Sequence, residues 1–223
     1  MGRPRILIAD DHAMVLDAFR KLLEPSYDVV GTVTDGQALL RAAEALAPDV
    51  VLVDLAMPHL NGLDAVERLR QTRPRMRLIV FTMHEDADTA REAIRRGAAG
   101  YVIKSAGSSE LFEAIDQVLQ GKVYVSEVIA RGPSGVFATQ AVRNNKTAGL
   151  TIRQREVLQL LAEGKSMKAA AAILDVTPRT IAFHKYSMME QLGFKTTAEL
   201  VQHAVKLGLV TPIPDPRSPI PDP

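Results

Sequence analysis

The chain has 223 residues, 47% of them hydrophobic, with a formal net charge of +1. It has no Cys, so disulfides and thiolate metal sites are excluded. No apolar run is long enough to span a membrane or to serve as a signal sequence, which leads us to expect a soluble, cytoplasmic protein without membrane partners.

The first half alternates in hydrophobic period. "RILIA" opens as a short apolar run, and residues 12–23 repeat at helical spacing. "YDVVGTV" (27–33) reads as a strand and "GQALLRAAEALA" (36–47) as a helix stopped by Pro48. "VVLVD" gives a third strand, "GLDAVERLRQT" (62–72) a helix, and "RLIVFT" (77–82) a fourth strand. "DADTAREAIRRG" (86–97), "GYVIK" (100–104) and "SSELFEAIDQVLQG" (108–121) complete the series. Five β-α units of this length predict a doubly wound, flavodoxin-like, five-stranded parallel sheet over residues 1–122.

Residues 123–147 lose this rhythm. "RGPSG" and "NNKTAG" are turn-rich, so the segment reads as an interdomain linker with a short helix near 136–143. Residues 148–211 read as a small all-α domain of four helices. Residues 212–223 repeat "PIPDP" and are expected to be extended or disordered, either a partner-binding tail or a cloning remnant. Charge divides unevenly: 15 Lys/Arg against 18 Asp/Glu in residues 1–122, and 8 against 5 in residues 149–211. A basic C-terminal part could face nucleic acid.

Doubly wound sheets bind ligands beyond the carboxyl ends of their strands. There the sequence places Asp10 and Asp11, Asp54, Thr82 and Lys104. Three carboxylates crowded together call for a cation, and an all-oxygen set suits a hard ion such as Mg²⁺. His12 is adjacent, but no His or Cys stands in a metal-ligand spacing. Mg²⁺ with a nearby Lys neutralises phosphoryl groups in transfer, and a carboxylate can be the nucleophile. Asp54, on the most central strand, is the natural phosphoacceptor. Any one of these Asp residues alone could be only a helix cap, as Asp35 is expected to be.

The set "ADD", "VLVDLAMPHLNGL", "FTMH" and "GYVIKS" resembles the receiver domain of two-component response regulators. The resemblance implies that Asp54 accepts a phosphoryl group from a sensor histidine kinase or a small phosphodonor. Asp10, Asp11, Asp54 and the Ala56 carbonyl would hold Mg²⁺. Lys104 and Thr82 would contact the phosphoryl oxygens, and Tyr101 would be the aromatic switch whose ring turns inward as Thr82 moves. Two positions depart from the family pattern: Ser105 stands where Pro is common after the Lys, and Met83 where a small residue is common.

In the helical part, Thr151 with Gln154 and Thr196 with Glu199 form capping boxes. Ser166 and Thr177 cap two further helices, the latter with Pro178 at its first position. Two short helices joined by "DVT" match the helix-turn-helix plan. Ile181, His184, Met188 and Leu192 are expected to face inward; Arg179, Ala182, Phe183, Lys185, Tyr186 and Met189 outward. Basic and aromatic residues on one face suit a major groove, although charge alone equally fits a protein-binding module. "LTIRQREVLQLLAEGKS…TPRTIAFHKYSMMEQLG" resembles the LuxR-type helix-turn-helix of NarL/FixJ-type regulators. The resemblance implies binding of double-stranded DNA through helix 178–192, with Lys168, Arg179, Thr180, Ala182, Phe183, Lys185 and Tyr186 in the contact set. It also implies homodimerisation through Val201, Ala204 and Val205. Ala182 and Tyr186 replace basic residues frequent in the family, so the base preference should differ.

Two enzyme classes fail on single positions. A haloacid dehalogenase-type phosphatase needs a second Asp where Ala56 stands. "GKS" (164–166) is no P-loop, because Gln159 replaces the required Gly and no strand precedes it. The expected protein is therefore a phosphorylation-switched transcription factor. It is not an enzyme beyond handling its own phosphoryl group. The alternative is a DNA-binding regulator whose receiver senses a protein or ligand without phosphate.

Overall fold

The structure, a computed structural model, describes residues 2–131 and 150–210, which fall in two compact units. The helix expected near 136–143 and the repeated "PIPDP" tail lie outside the described residues.

The first unit is built on a parallel sheet. Its strands are β1 (Arg5–Ala9), β2 (Asp28–Val33), β3 (Val50–Val53), β4 (Arg77–Thr82), β5 (Gly100–Ile103) and β6 (Tyr124–Val125), in the order β2-β1-β3-β4-β5-β6. Helices α1 (Ala13–Leu23), α2 (Gly36–Leu46), α3 (Gly62–Thr72), α4 (Ala87–Arg95) and α5 (Ser108–Leu119) alternate with the first five strands. Strand side chains alternate between the two faces. Leu7, Val51, Val53, Leu78 and Val80 pack with Leu39, Val66, Leu69 and Ala90 of α2, α3 and α4. Ile6, Ile8, Val50, Leu52, Ile79 and Phe81 pack with Leu16, Leu23, Leu111 and Ile115 of α1 and α5. Every residue of β3 is buried, as its unbroken aliphatic run requires.

The sixth strand corrects the expected count of five and lies in the segment expected to be linker. Tyr124 N–H donates to the Ala99 carbonyl (3.0 Å) and Ser126 N–H to the Tyr101 carbonyl (2.9 Å). The Ser126 hydroxyl accepts from Ile103 N–H (2.9 Å). A single turn, α6 (Glu127–Ala130), then buries Ile129 against the first unit. Two strand residues are too few to display an alternation, so the segment carried no periodic signal.

The second unit contains α7 (Ile152–Ala162), α8 (Met167–Ile173), α9 (Pro178–Leu192) and α10 (Thr197–Lys206). Both expected capping boxes form, and Ser166 and Thr177 cap α8 and α9. Between α8 and α9 Asp175 takes a left-handed backbone (φ 52°), which a short polar side chain tolerates. The core joins Val157, Leu158, Ala170, Ile181, Met188, Leu200 and Ala204. Arg153 fastens the turn: its guanidinium pairs with the fully buried Glu156 (2.8 Å) and donates to the Leu174 carbonyl at the end of α8 (2.8 Å). No helix of the described residues is long and apolar enough to cross a membrane.

Candidate functional site

The carboxyl edge of the sheet gathers the residues that the sequence placed there. Register sets Ala9 beside Val53, so the next residues, Asp10 and Asp54, emerge side by side. Asp54 N–H donates to the Ala9 carbonyl (2.9 Å) and Asp10 N–H to the Val33 carbonyl (3.1 Å), which fixes both backbones. Asp10 is 2% and Asp54 5% exposed. Burial of this kind is costly for a carboxylate without a partner.

Lys104 is that partner. It leaves β5 at the start of a 3-10 turn, Lys104–Ala106. Its Nζ lies 2.5 Å from Asp10 Oδ2 and 3.2 Å from Asp54 Oδ1, and 5.9 Å from the centre of the Phe81 ring beneath. The approach to Asp54 is an ion pair without hydrogen-bond alignment, so the buried Asp54 Oδ1 accepts no hydrogen bond.

Thr82 ends β4 almost fully buried, and its hydroxyl accepts a long hydrogen bond from His84 N–H (3.4 Å). Tyr101 lies one strand over. Its ring is fully buried and its hydroxyl donates to the His84 carbonyl (2.8 Å). Burial, then the neighbouring Asp86 and Asp54 carboxylates, pushes the phenol above its ordinary pKa, so it remains a donor. Thr82 and Tyr101 thus meet at one residue, His84, of the loop between β4 and α4. Met83 in that loop is 65% exposed. No cis peptide bond occurs among the described residues, including at Lys104–Ser105, and Ser105 Oγ reaches Glu85 (3.3 Å). Ala56 is exposed in the loop after β3.

Two residues escaped the sequence reading of this site. Gly62, at the first position of α3, donates to the Leu55 carbonyl (3.0 Å). A Cβ there would stand 2.1 Å from the Asp54 carbonyl oxygen. Its signal was the Asn-Gly in "HLNGL", a turn pair that reads as punctuation. His12, set aside as merely adjacent, is the second. It is the N-cap of α1 with extended backbone (φ −99°, ψ 106°). That turns its ring back, so Nδ1 lies 2.7 Å from Asp11 Oδ1 and 3.4 Å from Asp10 Oδ1.

The donor set fits a divalent cation. Asp10, Asp11 and Asp54 carry three negative charges against one on Lys104, and ligand atoms of Asp10, Asp11 and His12 lie within 4.8 Å of one another. The unsatisfied Asp54 Oδ1 is a further buried acceptor beside them. Such an acidic pocket can hold a metal ion.

In the second unit, α9 presents Arg179, Phe183 and Tyr186 to solvent, the last two 69% and 60% exposed. Ala182 and Lys185 are half-buried along the same helix, and Lys185 Nζ lies 5.6 Å from the Tyr186 ring centre. Thr180 belongs first to the helix start: its hydroxyl meets that of the capping Thr177 (2.9 Å). Lys168 is exposed on α8. Burial, with Arg153 nearby, holds the His184 imidazole below its ordinary pKa, which suits a packed side chain. The expected dimer stripe needs one correction. Ala204 is fully buried, because Leu200 and Ala204 form the face of α10 that enters the core, while Val201 and Val205 stay partly open.

Residues 6–116 match the response regulator receiver domain family, and residues 148–204 the luxR family of bacterial regulatory proteins. The chain is 34% identical to the transcriptional regulatory protein MctR of Rhizobium johnstonii, over 94% of this chain and 96% of the relative. It is 32% identical to the nitrate/nitrite response regulator NarL of Escherichia coli K12, over 87% and 91%. Among solved structures it resembles RcsB of Salmonella enterica serovar Typhimurium bound to promoter DNA in the presence of the phosphomimetic BeF3⁻ (27% identity, TM-score 0.56, 92% of this chain and 100% of that one). This chain therefore belongs to the two-component response regulators of the NarL/FixJ type, transcriptional regulators that join a receiver domain to a LuxR-type DNA-binding helix-turn-helix.

Proposed function

We propose that the receiver is switched by phosphorylation of Asp54 and that the switch controls dimerisation and DNA binding. The observation that carries this is the buried Asp54 Oδ1, which accepts no hydrogen bond, 3.2 Å from the Lys104 ammonium. A carboxylate oxygen of Asp54 attacks the phosphorus of a phosphohistidine on a sensor kinase. The new O–P bond forms as the N–P bond to the imidazole breaks, and the departing ring nitrogen takes up a proton. Asp10, Asp11, Asp54 and the Ala56 carbonyl would hold Mg²⁺, which when bound would neutralise charge on the phosphoryl oxygens. Lys104 moves from Asp10 toward the phosphoryl group as a second positive contact. Thr82 turns its hydroxyl from His84 N–H to a phosphoryl oxygen. Tyr101 is already inward, so the moving part is the His84 segment to which its hydroxyl is tied. The same pocket lets water hydrolyse the acyl phosphate, with exposed Met83 at its rim setting access.

The rearranged receiver favours a homodimer, which places two copies of α9 on paired half-sites of double-stranded DNA in the cytoplasm. Arg179, Lys168 and Lys185 meet phosphates. Thr180 fixes the helix start, while Ala182, Phe183 and Tyr186 face base edges, where an apolar ring or methyl suits thymine. Val201 and Val205 form the C-terminal dimer contact. RcsB, solved on promoter DNA with a phosphomimetic, supports this reading.

The test is incubation with a small acyl phosphate, with and without Mg²⁺, followed by intact-mass measurement. The expected result is Mg²⁺-dependent gain of one phosphoryl group, absent in Asp54→Asn. Modification that persists in Asp54→Asn, or that ignores Mg²⁺, contradicts the assignment. A wild-type chain that takes no phosphoryl group favours a regulator whose receiver senses a protein or ligand.

A further inference from the structure

We propose that His12 is a nitrogen ligand of this metal site and biases it toward borderline divalent ions such as Zn²⁺ relative to Mg²⁺. The inference rests on the reading of the acidic pocket as a cation site and adds the donor that sets its selectivity.

Distances carry the argument. Ligand atoms about 2.1 Å from a common ion stand roughly 3.0 Å apart across adjacent octahedral positions and roughly 3.4 Å across tetrahedral ones. His12 Nδ1 lies 2.7 Å from Asp11 Oδ1 and 3.4 Å from Asp10 Oδ1. The imidazole nitrogen therefore sits near ligand-to-ligand spacing from each carboxylate, and ligand atoms of all three residues lie within 4.8 Å of one another. The arrangement is held by backbone, because His12 N–H donates to Asp10 Oδ1 (2.9 Å) and its extended N-cap conformation returns the ring over the carboxylates. A helix cap needs no such ring: the His12 side chain makes no capping hydrogen bond to α1. Beside these donors lies an independent pointer to a ligand, the Asp54 side chain, 6% exposed, whose Oδ1 is buried without a hydrogen bond.

The chemistry follows from donor type. Mg²⁺ takes oxygen ligands and keeps several waters, so it gains little from an imidazole. Zn²⁺ and other first-row ions bind imidazole nitrogen well. A site of three carboxylates and one imidazole should therefore hold both classes but depend on the imidazole for only one. With 69% of its side chain exposed, His12 forms the outer wall of the site and can swing away when Mg²⁺ occupies it.

The test uses the full-length chain stripped of metal with a chelator, titrated calorimetrically with Mg²⁺, Mn²⁺ and Zn²⁺. His12→Ala should lower Zn²⁺ affinity about 10- to 100-fold, the range for disturbing a metal's protein partners, and change Mg²⁺ affinity less than about 3-fold. In ¹⁵N-histidine spectra of the wild type, Zn²⁺ should shift the His12 Nδ1 resonance and Mg²⁺ should not. Unchanged Zn²⁺ affinity in His12→Ala, an equal fall for Mg²⁺ and Zn²⁺, or Zn²⁺ binding that survives Asp11→Asn would each overturn the proposal. Mg²⁺ binding that survives Asp11→Asn would instead remove the cation-site reading on which it rests.

Discussion

Asp54 sits where three constraints meet. Its backbone is clamped to Ala9, its carboxylate is buried beside Lys104, and α3 begins directly behind its carbonyl. The last constraint makes Gly62 the most sensitive neutral residue of the site. Gly62→Ala would drive a methyl into the Asp54 carbonyl oxygen, 2.1 Å away, and its nearest neighbours are all backbone of Asp54 and Leu55, with no flexible side chain to yield. We expect a loss of about 1–3 kcal/mol in urea unfolding and weaker beryllofluoride binding, because relief can come only by moving the Asp54 loop. Unchanged stability and binding would show that the loop is not clamped as described. At this scale the sequence was informative where chemistry is expensive. Carboxylates and an amine ending apolar strands need a reason, so Asp10, Asp54 and Lys104 were legible. Gly62 acts through a close backbone approach, which its Asn-Gly pair signals only as a turn. His12 was missed because its reach depends on the backbone turn after β1 rather than on spacing.

Among the elements, α4 is held at its C-terminal end by buried charge. Arg96 Nη1 lies 2.6 Å from Asp64 of α3, and its Nε 2.6 Å from Glu92; the Asp64 side chain is fully buried and the Arg96 side chain 4% exposed. Asn61 completes Asp64 with a 2.8 Å hydrogen bond. At its other end, α4 is capped by Asp86, two residues after the His84 carbonyl that receives Tyr101. One end is thus anchored and the other follows the loop that receives Tyr101, the arrangement the proposed switch needs. Removing the guanidinium takes the charged partner from the buried Asp64 carboxylate, so Arg96→Met should cost more than about 1 kcal/mol in denaturant unfolding, and adding Asp64→Leu should recover much of it. A cost below about 1 kcal/mol for the single variant would mean that Asp64 finds other donors. The helices themselves were legible from caps and periodicity, Thr151 and Thr196 above all. The sixth strand was not, because two residues show no period and its hydrogen bonds come from partners more than twenty residues away.

The two units respond to solution conditions through different groups. In the second unit the His184 and His203 imidazoles are both held below the ordinary value of 6.5 by burial, with Arg153 and Lys206 adding to it. A depressed histidine pKa means that the unfolded chain binds more protons in the window below the ordinary value. Stability of this unit is therefore full above that value and falls as pH drops through it. Thermal melts from about pH 7.5 to about pH 5.5 should show the decline, and His184→Gln should flatten it; an unaltered slope would assign the effect elsewhere. Charge also divides by unit, 15 Lys/Arg against 18 Asp/Glu in residues 1–122 and 8 against 5 in residues 149–211. The net positive sign of the helix-turn-helix part favours approach to the DNA backbone, and the net negative sign of the receiver part does not. The architecture of both units was legible because each repeats a strong local pattern. In the expected dimer stripe, Ala204 shares its helical spacing with the core, and only packing reveals which side it serves. The most direct measurement of the switch is the affinity of the full chain for operator DNA, by fluorescence anisotropy at fixed salt, with and without Mg²⁺ and beryllofluoride. The account predicts tightening of about 5- to 150-fold, the usual span of coupling between two sites, in the wild type and none in Asp54→Asn. Equal affinity in both states, or equal tightening in Asp54→Asn, would contradict it.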